Sequence, residues 1–133
     1  MNETLTFTQT VTITEKDIDD IVATAFEGGI NYWCNDARVI GKYLGEYASD
    51  QISRGGKVVL TINEPIDDSE KVRYTLTKRN FLNGLKKYLS DPNKPYDILT
   101  VDHGKIVLDL CNVDGVVSDM IIQYALFDEI IFG

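Results

Sequence analysis

A chain of 133 residues with 44% hydrophobic and 26% charged side chains is long enough to bury its own core, and too evenly mixed to be disordered or membrane-embedded. Its net charge of −8 opposes sequence-independent binding to phosphate backbones and favours a basic partner instead. No window approaches the roughly 18 uncharged apolar residues of a spanning helix, and Met1 to Ile13 has neither the basic start nor the apolar run of a signal peptide. A single cytoplasmic domain over residues 1–133 is expected, with no membrane association.

The first segment, "TLTFTQTVTIT", alternates: Leu5, Phe7, Val11 and Ile13 fall on one side with Gln9 among them, and the threonines on the other. This predicts a half-buried strand. Thr14 then offers an N-cap hydroxyl with Asp17 three positions on, and Ile18, Ile21, Val22, Ala25 and Phe26 follow at helical spacing. Glu15, Asp17, Asp19 and Asp20 crowd the first turns, where the helix dipole favours negative charge, so they need no catalytic explanation. Gly28 or Gly29 is expected to close this helix in the left-handed conformation, with Ile30 as the apolar residue just beyond. Tyr32 and Trp33 either pack back over the helix end or present an aromatic contact surface.

From Val39 to Ser53 the apolar stripe is helical, but Gly41 and Gly45 interrupt it. A short extended piece is expected, then a helix from about Glu46 to Arg54 ended by Gly55 and Gly56. "KVVLTI" and "KVRYTLT" read as an antiparallel hairpin around the acidic loop "NEPIDDSE", which lacks the ordered spacing of a calcium loop. Thr77 caps a second helix with Phe81, Leu82, Leu85, Tyr88 and Leu89 as its buried stripe, ended by Asp91-Pro92. Its outer side carries Lys78, Arg79, Lys86 and Lys87, the one local basic patch.

"YDILTVDHGKIVLDL" predicts two short strands around Asp102-His103-Gly104. His103 is the single histidine; Asp102 adjoins it, but neighbours on a tight turn rarely face one another. The last helix, capped by Asn112 or Asp114, is apolar almost all round from Val116 to Leu126, and "EIIFG" is expected to dock as an extended segment. Cys34 and Cys111 have no CxxC or Cys/His spacing around them and read as buried free thiols. No pattern calls for a metal or a cofactor.

The stretches "EGGINYWC", "YLGEYASDQISRGG" and "QYALFDEIIFG" resemble a family of small uncharacterised proteins carried by prophages and other mobile elements of Gram-positive gut bacteria. The resemblance brings no activity or site residue. It implies a setting in which small acidic proteins bind and block other machinery, including nucleic-acid-binding enzymes.

The fold these elements predict is α+β, with one antiparallel sheet of four to five strands and three main helices. The functional reading is a non-enzymatic protein-binding module, an inhibitor of a basic nucleic-acid-binding protein, with Tyr32, Trp33, Asp36, Tyr43 and Tyr47 as partner-binding residues. Two alternatives stand beside it. One is a self-associating structural module of a phage or mobile element, a homo-oligomer; the other is a small enzyme using Asp102, His103 and a cysteine.

Overall fold

The computed structural model describes residues 1–133. It is α+β, with three helices and two three-stranded sheets in place of the single sheet expected. β1 (Val11–Thr12) precedes α1 (Glu15–Thr24), and β2 (Cys34–Ile40), β3 (Lys57–Ile62) and β4 (Arg73–Leu76) form an antiparallel sheet in that order. α2 (Lys78–Ser90) leads to the hairpin of β5 (Leu99–Asp102) and β6 (Lys105–Leu108), and α3 (Gly115–Phe127) follows. The second sheet has the order β1-β6-β5, with β1 parallel to β6. That parallel pairing links the two ends of the chain and separates this sheet from the first.

Both capping expectations on the early helices are met in full. At α1 the Asp17 amide donates to Thr14 Oγ1 at 3.1 Å while the Thr14 amide donates to Asp17 Oδ2 at 2.9 Å. At α2 Thr77 and Asn80 exchange the same two bonds at 3.2 and 2.8 Å. Each box satisfies two amides that the first helical turn leaves without an internal partner. Asp114 caps α3, its carboxylate accepting from the Val117 amide at 3.0 Å.

Three local expectations fail, each for a physical reason. The long N-terminal strand shrinks to Val11–Thr12, because the parallel register Val11↔Ile106 brings its N-terminal end to the turn at His103-Gly104, where β6 begins. Thr4 to Thr10 have no strand to pair with, and Leu5 and Phe7 are exposed. The end of α1 continues into a wider turn over Ala25–Gly29, and neither Gly28 nor Gly29 is left-handed. Gly29 serves close approach instead: a Cβ there would lie 2.8 Å from the Gly115 carbonyl oxygen and from Ser118 Oγ. The helix expected over Glu46–Arg54 reduces to one 3₁₀ turn at Ala48–Asp50, followed by turns and Gly55 at φ +85°. The Gln51 side chain donates to the Tyr47 carbonyl at 2.6 Å and accepts from the Leu44 amide at 2.6 Å, fixing a loop that a continuous helix would straighten.

One contiguous cluster of 21 buried hydrophobic residues joins all the layers. Val58, Leu60 and Ile62 of β3 point inward at alternate positions onto α1, α2 and α3, which contribute Ile21, Phe81, Leu85 and Ile121. Leu82, read as part of the α2 stripe, is exposed. α2 and α3 cross at Gly84, where a Cβ would meet the Ala125 nitrogen and the Ile121 carbonyl at 2.6 Å. Ile18 anchors α1 in the same core, and Trp33, 2% exposed, closes one end of it. No helix is long and apolar enough to cross a membrane.

Candidate functional site

The five residues proposed for partner contact divide between two places and the interior. Trp33 belongs to the core rather than the surface, so of the two readings open to it, packing over the helix end holds and the contact surface does not. Its indole stacks on Phe132 with centroids 5.2 Å apart and meets Phe127 edge-on at 5.6 Å. Its Nε1 donates to Asp119 Oδ1 at 2.7 Å. Asp119 is 8% exposed and also accepts from the Tyr32 hydroxyl at 2.5 Å and the Gln123 amide at 2.9 Å. Three donors thus stand in for water around a carboxylate with no cation beside it. Burial, and then the hydrogen bond to Asp119, raise the Tyr32 hydroxyl well above the usual tyrosine range.

Gln123, wholly buried, completes the arrangement. Its Oε1 accepts from the amides of Ile131 and Phe132, both at 2.8 Å, and its Nε2 donates to the Phe132 carbonyl at 3.1 Å. The segment "EIIFG" is therefore held by its backbone and by the half-buried Phe132 ring, but Ile130 and Ile131 stay exposed, so the expected docking is met only in part. Asp119 and Gln123 escaped the sequence reading, although their i, i+4 spacing on an otherwise apolar helix is the available signal: two polar residues on a buried helix must satisfy each other or a common partner.

Asp36 and Tyr47 lie elsewhere, on a concave acidic face. Two adjoining depressions meet at Phe26. One, of about 450 Å³, is lined by Phe26, Ile30, Asn31, Cys34, Asn35, Asp36 and Ala37. The other, of about 400 Å³, runs between α1 and the 3₁₀ turn, and Asp19, Asp20, Glu27, Tyr47 and Asp50 line it with Phe26. Lys16 pairs with Asp20 at 2.5 Å and Arg38 lies 3.9 Å from Asp36. Asp19, Glu27 and Asp50 have no cation within 4.0 Å. Asp19 accepts from Ser53 Oγ at 2.6 Å and Asp50 from the Tyr47 amide at 2.9 Å, so the loop carrying Tyr47 is tied to the acidic helix. Tyr47 is 62% exposed and Tyr43, on the same loop, 54%. Tyr32 is also largely exposed, but its hydroxyl is committed to Asp119.

His103 stands at the tip of the β5–β6 turn, 93% exposed at its side chain, with Nδ1 2.7 Å from Asp102 Oδ1. The two neighbours do face one another, contrary to the sequence expectation, because His103 at φ 49° and Gly104 at φ 76° turn the chain tightly enough to fold the imidazole back. Cys34 is buried; burial raises its thiol above the ordinary range, and its Sγ donates to the Asp36 carbonyl at 3.4 Å. Cys111 is exposed on the 3₁₀ turn Leu110–Asn112, which corrects the expectation that both thiols are buried. No three His, Cys, Asp or Glu side chains gather in a way that would hold a metal ion. No protein-family model, no curated protein and no solved structure matches this chain.

Proposed function

We propose that this protein is a non-enzymatic binding module whose acidic face, built on α1 and the Tyr47–Asp50 turn, takes a basic protein. The observation that supports it is the coincidence of three unpaired carboxylates, Asp19, Glu27 and Asp50, with the apolar floor of Phe26 and the exposed ring of Tyr47. Carboxylates of one sign steer a cationic surface in and set its register, while the aromatic ring supplies area that stays buried once docked. Trp33 drops out of the anchor set and acts by holding the core behind Tyr32. In the setting that the resemblance to mobile-element proteins implies, the partner is a cytoplasmic nucleic-acid-binding protein, and covering its basic surface inhibits it.

Affinity capture from the cytosol of a Gram-positive bacterium tests this, with the wild-type chain and an Asp19→Asn/Glu27→Gln/Asp50→Asn variant run side by side. The wild-type chain is expected to retain a basic protein at about 50 mM salt, to lose it at about 500 mM as screening shortens the range of exposed charges to a few ångströms, and the variant to retain none. Identical empty backgrounds at both salts, or equal capture by the variant, would overturn the reading.

A further inference from the structure

The N-terminal arm presents a mismatch between what its sequence requires and what its own fold provides. Ten residues alternate as a half-buried strand does, yet Leu5 is 83% exposed and Phe7 69%, with no strand of this chain alongside them. The side of the strand to which they belong is fixed by parity. Leu5 and Phe7 share it with Gln9, Val11 and Ile13, and those three line an apolar groove of about 380 Å³ against Leu82 and Leu89 of α2. The groove is open, and Leu82 is 37% exposed on its wall.

We propose that this arm docks in the groove of a second copy of the chain, reciprocally, to form a twofold dimer. The occupant follows from reach. At about 3.3 Å per residue, Phe7 lies roughly 13 Å beyond Val11 along the strand, past the end of its own groove. Filling that groove in cis requires a reversal through Thr8, Gln9 and Thr10, which include no glycine, proline, asparagine or aspartate to make one. A second copy offers the same groove without a reversal. Val11 and Thr12 form an edge strand, paired on one side alone, so an arriving arm finds free backbone donors and acceptors as well as apolar walls. Two docked arms, each burying a leucine and a phenylalanine with the matching acceptor surface, reach roughly the 1,200 Å² at which stable interfaces begin. The surface is separate from the acidic face and does not depend on that reading.

Light scattering on the full-length chain over about a hundredfold range of concentration is the test, because self-association is governed by mass action. The expected result is a mass of twice 15.0 kDa at the upper end, falling towards one chain on dilution. Phe7→Glu and Leu82→Glu, one on each side of the contact, are each expected to give a monomer with the melting temperature of the dilute wild-type protein. In a Cys111→Ser background, a mixture of Phe7→Cys and Leu82→Cys chains is expected to form a disulfide-linked pair on mild oxidation. A wild-type monomer throughout overturns the proposal, as does a dimer that both glutamate variants retain. A Phe7→Cys/Leu82→Cys double variant that closes its own disulfide within a monomer also overturns it, by showing that the arm docks in cis. A dimer abolished by the acidic-face variant and by salt, but not by Phe7→Glu, assigns self-association to the charged surfaces instead.

Discussion

Trp33 makes the stretch "EGGINYWC" intelligible, because its chemistry comes from the far end of the chain. The adjacent glycines and the aromatic pair identify a corner of the core, but the carboxylate that receives the indole N–H lies 86 residues on and the ring that stacks on it is Phe132. No local pattern around Trp33 announces either. Trp33→Ala is expected to cost about 3–5 kcal/mol, as for other buried large aromatics, and chemical denaturation measures it. Asp119→Ala removes the shared acceptor and strands the buried indole N–H of Trp33, since Gln123 keeps the Phe132 carbonyl and Tyr32 reaches solvent, so a loss of about 1–3 kcal/mol is expected in the same assay. Because the Tyr32 pKa is raised in the folded state above the ordinary value near 10, the folded protein holds that proton more tightly. Its contribution is therefore fully present below about pH 10 and fades as the pH climbs towards the folded value. Unfolding free energy measured from pH 8 upward is expected to decline at the alkaline end for the wild type and less steeply for Tyr32→Phe. Tyr88 and Tyr124 shift in the same direction, each chiefly through burial, so the variant retains part of the slope.

Elements whose signals are local were legible from their residues. The Thr14–Asp17 capping box, the Thr77 cap and the β3–β4 and β5–β6 hairpins all follow from neighbours within a few positions. Elements that need a distant partner were not. The N-terminal strand has the right alternation, but the length of β6 determines how much of it pairs, and the segment Glu46–Arg54 has a helical stripe that the Gln51 side chain overrides. Gly84 shows the same rule with a sign to decide. Alanine is the better helix former by about 1 kcal/mol, which argues that Gly84→Ala should stabilise α2. A Cβ at 2.6 Å from the backbone of α3 instead forces the two helices apart, and overpacking of this kind costs about 1–3 kcal/mol. A net loss of stability is expected; a rise in melting temperature would show that the helix crossing yields easily.

Charge is unevenly distributed over the whole molecule. Asp19, Asp20, Glu27 and Asp50 gather on the concave side formed by α1 and the Tyr47–Asp50 turn, whereas α2 displays Lys78, Arg79 and Lys86 on its outer side, and Lys87 there is paired with Asp128. The acidic part of this arrangement was legible as composition but not as a place: Asp19 and Asp20 were accounted for by the α1 dipole, and only the fold brings Asp50 and Tyr47 across to them. The candidate anchors were half legible for the same reason. Asp36, Tyr43 and Tyr47 lie at the surface, and Trp33 does not. The measurement that tests the central claim most directly is backbone hydrogen exchange on the protein alone and bound to the basic protein it captures. The account predicts added protection over residues 19–27 of the α1 region and over residues 43–50, with α2 and the N-terminal arm unchanged. Protection confined to α2 or to residues 2–10, with the acidic face exchanging as it does in the free protein, would contradict it.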